Sequence, residues 1–388
     1  MLGSGTGGGV MLVGLGHLGG PLLDRLARSP RVDRIVACSR DAARGEARCN
    51  LARLSAMAAG RAAAIEFQPL DVTRGDELAE AVAKAAPEIV VMAVSRRTWW
   101  LLDLFPEAAA AALRRASFGA WLPWHLGPSL LLARALVVAE HRGAVVNAAY
   151  PDVVNPVLAA AVLTPTCGVG NVDEIAAKVQ LLAAARLGAS PGELEITLVA
   201  HHALQPFVFS ERPLPAAGGY PPYFLRIAHH GRDVSEELGA EELLGRPCPL
   251  PGGPAWGTFT AESAGRLIDA LLAEERVRLH APGPGGLPGG YPVGVGGLEV
   301  ELADIEGLSR ERAISINAAA QRFDGIAGIE EDGTVAFTAA TAAVMREELG
   351  FDHPRLRPEE AQVVADELDA RFVEFARRHG VNLSKACG

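Results

Sequence analysis

Three glycines at a fixed interval are the residues whose spacing most plainly points to chemistry: Gly14-Leu15-Gly16-His17-Leu18-Gly19. An apolar run at 10–13 leads into them, an amphipathic segment comes next, and a second β-type run occupies 34–38. Strand, glycine turn, helix and strand within about thirty residues form the unit that binds a dinucleotide. Gly14 permits the tight turn, Gly16 lets the main chain approach a pyrophosphate, and Gly19 lets the helix lie close on the sheet. Free N–H groups where the helix starts, with His17 and Leu18 in the same turn, face the phosphates. A glycine-rich linker accounts for residues 3–9 but not for the patterned stretch 10–38.

The end of the second strand sets which dinucleotide fits. Units that bind NAD place Asp or Glu there for the ribose hydroxyls. In this chain the position falls on Cys38 or Ser39, followed by Arg40. A hydroxyl beside a guanidinium suits a 2′-phosphate, so NADP is expected ahead of NAD. Asp41 is the residue that reverses this preference if the turn sits one position later.

Further along the chain, a helix over 43–60 leads to a strand over 64–71 that ends in Asp71. Thr73 then caps a helix running to residue 86, and 88–95 is a continuous apolar run of the kind buried in parallel sheets. Ligands of such sheets bind beyond the carboxyl ends of the strands, which puts Gly14 to Gly19, Asp71 and Ser95 on one rim. Ser95-Arg96-Arg97-Thr98-Trp99-Trp100 comes directly after. It reads either as a substrate lid or as core tryptophans beside solvated arginines. A further strand ends at Asn147, which with Asn155 is a candidate polar contact to nicotinamide or substrate.

In the second half, Asn171 is placed to cap a helix over 172–187 with Asp173 and Glu174 in its first turn. A strand over 194–200 ends in His201-His202. A helix over 261–275, turns over 282–297, paired strands within 291–302 and two closing helices, 339–350 and 358–379, complete the pattern. The alternation predicts an α/β fold: a doubly wound parallel Rossmann sheet over 1–160, followed by an α+β substrate domain over 161–388.

Composition narrows the partners. With 388 residues, 49% of them apolar, the chain is long enough for two domains and a large core. A net charge of −10 argues against nucleic acid and anionic membranes. Nearly all cations are Arg, the lysines being Lys84, Lys178 and Lys385. The five scattered cysteines lack CxxC spacing, which suggests a reduced compartment without disulfides or structural zinc. No charged-then-apolar leader opens the sequence and no apolar stretch is long enough for a membrane span, so a cytoplasmic protein acting on a small molecule is expected.

Taken in order, these features resemble the lactate/malate dehydrogenase superfamily. The resemblance rests on the glycine turn, the cationic loop after the fourth strand, a strand ending in Asn, and a Gly-x-Gly turn opening a helix with early acids. A strand ending in His fourteen residues after Leu187-Gly188, and a late Tyr291-Pro-Val-Gly-Val-Gly-Gly297, complete it. It extends over most of the chain and is distant. It implies a dehydrogenase, in which His202 exchanges the carbinol proton, Asp173 orients that imidazole, and Arg96 or Arg97 anchors the substrate. It also implies a homodimer or homotetramer. The family's carboxylate-clamping Arg is absent: Ala176 stands three residues after Asp173, and an alternative alignment puts Lys178 at the clamp. A small 2-hydroxy acid is therefore not the expected substrate. The superfamily's NAD-dependent glycosidases bind a metal through Cys and His near Cys167 and His202, but Gly168 follows Cys167 where their pattern needs a further ligand. No metal ligand is assigned among Cys167, His201, His202, His229 and His230. An enzyme using nicotinamide transiently and a non-catalytic dinucleotide sensor are the two rival readings.

Overall fold

The computed structural model describes residues 8–210, 214–215, 218–251 and 253–383; the side chain of Trp99 is outside this set, as are Lys385 and Cys387. The first half alternates strand and helix: β1 (Gly8–Val13), α1 (Gly19–Ala27), β2 (Val32–Ser39), α2 (Ala42–Ala58), β3 (Ala64–Pro69), α3 (Gly75–Ala85) and β4 (Ile89–Met92). It continues through α4 (Glu107–Arg114), α5 (Leu122–Val138), β5 (Ala144–Asn147), α6 (Pro151–Ala161) and β6 (Cys167–Gly168). These strands form one parallel sheet in the order β3-β2-β1-β4-β5-β6. The order reverses at β1, beside the glycine turn, and crevices at such reversals are where open α/β sheets bind ligands. Residue 161, the expected start of a second domain, precedes the last strand of this sheet.

After the sheet come α7 (Val172–Leu187), β7 (Leu194–Val199), α8 (Gln205–Val208), β8 (Phe224–His229), β9 (Arg232–Asp233), α9 (Ala240–Gly245) and α10 (Trp256–Leu271). Then come β10 (Val277–Pro282), β11 (Gly290–Gly296), β12 (Glu299–Leu302), α11 (Arg310–Ala320), β13 (Ile326–Ile329), β14 (Val335–Phe337), α12 (Ala339–Leu349), β15 (Arg355–Leu356) and α13 (Ala361–Arg378). Three small antiparallel sheets, β7-β8-β9, β10-β11-β12 and β13-β14-β15, belong to this half. The hairpin β8-β9 falls in a stretch whose sequence is mainly Pro/Gly-rich connection.

Alternation along β1 explains the layers. Met11 and Val13 point to one face, where they join Leu78, Trp124, Leu130, Leu368 and Phe372. Val10 and Leu12 point to the other and join Leu22, Leu26, Ala52, Leu267 and Ile268. Helices from the second half therefore cover both faces, α13 over α5 and α10 over α1. Val364, Leu368, Phe372 and Phe375 recur at helical spacing, and that stripe holds α13 down. Cys38, Cys49, Cys167 and Cys248 are free thiols. No helix among the described residues is long and apolar enough to cross a membrane.

Candidate active site

At the glycine turn the packing requires a glycine at positions 14 and 19. Gly14 has φ of 106°, and a β-carbon there would strike the Ala93 carbonyl. A β-carbon on Gly19 would strike the Gly14 carbonyl, so α1 could not lie so close to the turn. Above Gly16 the space is open. No side chain caps α1 at Leu18; the Gly20 N–H donates to the Gly16 carbonyl at 2.8 Å and Pro21 has no N–H, which leaves the Gly19 N–H to face an anion. This is a cradle that fits a diphosphate. His17 stacks edge-on against Trp100, ring centroids 4.8 Å apart, and its carbonyl lies where a β-carbon on Gly257 of α10 would fall. Trp100 is thus buried against the turn.

Beyond β2, Ser39 is half-buried and Arg40 is exposed. The Asp41 carboxylate accepts from the Arg44 N–H at 3.0 Å through Oδ1 and caps α2. Asp71 accepts from the N–H and hydroxyl of Thr73, at 2.9 and 2.8 Å. Thr73 does not cap α3, which begins after Arg74 with no side-chain cap. Ser95 is exposed after β4. Asn147 is fully buried, with its amide used on the turn itself: it donates to Asn155 Oδ1 at 2.8 Å and accepts from the Ala149 N–H at 2.8 Å. Asn155 in turn donates to the Gly283 carbonyl at 3.0 Å. This pair holds the turn that puts Tyr150 into the left-handed conformation at φ 52° before α6.

His202 sits where β7 gives way to a short 3-10 turn, His202–Leu204. Its Nδ1 lies 2.7 Å from Oδ2 of Asp324, and the same oxygen accepts from the Tyr150 hydroxyl at 2.8 Å. The His202 backbone N–H donates to Asp152 Oδ1 at 2.7 Å. Phe118 and Tyr150 flank the imidazole, with ring centroids 4.5 and 5.2 Å away. Burial works against a charged imidazole here, but the carboxylates of Asp324, Asp152 and Glu174 outweigh it and raise the His202 pKa. Asp324 shows the complement: burial would raise its pKa, yet His202, His201 and Tyr150 bring it below the usual value. An ionised Asp324 fixes the proton of neutral His202 on Nδ1 and leaves Nε2 as the basic nitrogen. His201 differs. It is fully buried, its Nδ1 accepts from the Ala203 N–H at 3.1 Å, and burial lowers its pKa. Burial also holds His125 neutral, at about 4.

Four residues expected at the site are engaged elsewhere. Asp173 does not orient His202: its carboxylate accepts from the Ser263 hydroxyl at 2.6 Å and pairs with Arg266, both on α10. Lys178 offers no clamp, because its three ammonium protons go to the carbonyls of Val208, Leu244 and Arg246 at 2.7, 2.8 and 2.7 Å. Burial lowers its pKa to about 8. Arg97 grips Asp369 of α13 in a fork, at 2.5 and 3.1 Å, and Arg96 pairs with Asp366 and Asp369. Asn171 does not cap α7. At φ 49° it turns its amide to Asp152.

Asp324, Tyr150 and Asp152 complete the site, and sequence reasoning misses all three. Asp324 ends the 3-10 turn Gln321–Asp324 after α11, in a stretch whose sequence has no periodic signal. A weak cue exists in Asp324-Gly325, a turn dipeptide that fixes a helix end. Glu174 reads from the sequence only as an early acid of α7. It is buried, accepts from Gln205, from Trp256 at 3.2 Å and from Thr260 at 2.5 Å, and burial pushes its pKa up to about 7. The two acids of α7 thus fasten α10, whose start rests on the glycine turn, while Glu174 also reaches His202 through its field. Glu174 thereby links α10, which starts beside the glycine turn, to Gln205 in the turn that follows His202.

Comparison with families of known sequence and with curated proteins finds no match. Comparison of structures does. The lactate dehydrogenase of Eimeria maxima with NADH and oxamate superposes with a TM-score of 0.55 at 13% identity, over 83% of this chain and 93% of that one. The malate dehydrogenase of Cryptosporidium parvum gives 0.55 at 14%, over 82% and 98%. The lactate dehydrogenase of the same organism, complexed with lactic acid and nicotinamide adenine dinucleotide, gives 0.54 at 13%, over 81% and 98%. At such identities the likeness is one of fold: a Rossmann sheet with a second α+β layer, arranged as in the lactate and malate dehydrogenases.

Proposed function

We propose that this protein is a nicotinamide-dependent oxidoreductase that moves a hydride between NADP(H), or NAD(H), and the carbonyl/alcohol carbon of a small molecule. The observation that carries the proposal is the His202–Asp324 pair, tied through Glu174 and α10 to a glycine turn built for a diphosphate. The bound nicotinamide supplies or accepts the hydride. When an alcohol is oxidised, Nε2 of neutral His202 takes the hydroxyl proton as the C–H hydride leaves, and the imidazolium that forms is stabilised by Asp324. In the reverse direction the imidazolium returns that proton to the carbonyl oxygen. Tyr150 and His202 N–H hold Asp324 and Asp152 in place, so Nδ1 keeps its proton toward Asp324 while Nε2 gains and loses one.

The preference for NADP rests on Ser39 and Arg40 together with the engagement of Asp41 as a helix cap. The absence of a free clamp at Lys178 and at Arg97 disfavours a small 2-hydroxy acid as substrate. Fluorescence titration with NADPH and NADH side by side, followed by a carbonyl and alcohol panel, tests the reading. His202→Gln is expected to bind cofactor as the parent does while turnover falls by a factor of about 10²–10⁴. Unchanged turnover removes the assignment of His202, and tighter NADH binding removes the NADP preference.

A further inference from the structure

We propose a divalent transition-metal site at the far end of the β7–β8 hairpin, formed by Glu193, His229 and His230. One ligand atom from each lies within 4.8 Å of the other two. A tetrahedral first-row ion with bonds of about 2.0–2.1 Å holds its ligands about 3.4 Å apart, so modest side-chain rotation closes the shell. The backbone brings the ligands together. His229 ends β8 and pairs with Arg232, which leaves His230-Gly231 as a two-residue turn with φ of 49° and 78°. That is the tight hairpin turn in which Asn-Gly is the favoured pair. With His in the first place, the two imidazoles come to 4.3 Å between centroids. Leu194 pairs with His229, so Glu193, one residue earlier, arrives at the same edge.

A second observation points to a ligand. Nε2 of His229 is buried without a hydrogen-bond partner, which a metal bond would relieve. The Glu193 carboxylate is already oriented by the Ser190 N–H at 2.8 Å, as metal-binding carboxylates commonly are. Two imidazoles and one carboxylate suit Zn²⁺, Ni²⁺ or Cu²⁺ and not Mg²⁺ or Ca²⁺, which want oxygen. His202 lies at the opposite end of β7, roughly 20 Å away at strand rise, so the ion fastens the hairpin and takes no part in chemistry at the imidazole. The inference does not depend on the dehydrogenase reading.

Titration of the chelator-treated full chain with Zn²⁺, and with Co²⁺ followed by visible absorption, tests it. The parent is expected to take up one ion at this site and to melt at a higher temperature with Zn²⁺ than without. His230→Asn keeps a residue suited to the turn and removes a ligand. It is expected to match the metal-free parent in melting temperature and to bind Zn²⁺ at least about tenfold more weakly. Glu193→Gln is expected to weaken binding in the same direction, and Mg²⁺ to have no effect. Absence of Zn²⁺ uptake by the parent, or equal uptake by His230→Asn, overturns the proposal, the latter assigning the metal to other histidines.

Discussion

Burial disfavours charge on His201 and His202 alike, and Asp324 separates them because it stands 2.7 Å from the His202 Nδ1 and 3.6 Å from that of His201. The pH consequence has a definite sign. His202 has its pKa raised above 6.5, so its contribution to stability is complete below that pH and is lost as pH rises through the folded value. Asp324 has its pKa lowered from 3.8, so its contribution is present above that pH and is lost in acid, through the lower folded value. The pair therefore stabilises most between these limits. Asp324→Asn is expected to cost about 1.5–3 kcal/mol near pH 5.5 and less at pH 8.5, measured by urea unfolding. In the same variant the alkaline fall of kcat/KM for carbonyl reduction is expected to move to lower pH; an unmoved profile would detach Asp324 from His202. Sequence spacing brings out His202, since it ends a strand. It misses Asp324, because the contact spans 122 positions and the partner occupies a short turn without periodicity.

Among the elements, the glycine turn and α1 are legible because their constraints are local. The strand, the left-handed Gly14 and the close packing at Gly19 are all written within about a dozen residues. A substitution separates the fold of this element from its ligand. Gly16→Val adds a side chain into open space, so the melting temperature is expected to stay within about 2 °C. The same side chain stands where the proposed function places a phosphate, and cofactor affinity is expected to fall at least about tenfold by fluorescence titration. Equal affinity would move the diphosphate off this turn. The roles of Asp173 and Lys178 are illegible for the opposite reason. Both lie on α7, as expected, but helix rotation and the docking of α10 decide which carboxylate faces which partner. A single residue of offset along a helix turns a side chain by about 100°, enough to exchange an orienting acid for a structural one.

Across the whole molecule, the parallel sheet is foreshadowed by strand–helix alternation, whereas the source of its outer layers is not. Phe372 of α13 is fully buried among Phe105, Trp121 and Trp124, with ring centroids at 5.5, 5.6 and 5.0 Å. Nothing in the periodicity of α13 says which surface its apolar stripe will meet. Phe372→Ala is expected to cost about 3–5 kcal/mol, read as a drop in the urea midpoint. A cost near zero would mean that α13 does not help close the half that holds the parallel sheet.

Because α13 lies over a sheet begun at Gly8, the opening strands cannot be fully covered until residues 361–378 have been made. Until then the nascent chain carries an unroofed apolar surface, and self-association is a hazard. The consequence for engineering is direct: the stretch from β1 to β6 is not a portable cassette. A circular permutant that brings α13 ahead of β1 would supply the roof early.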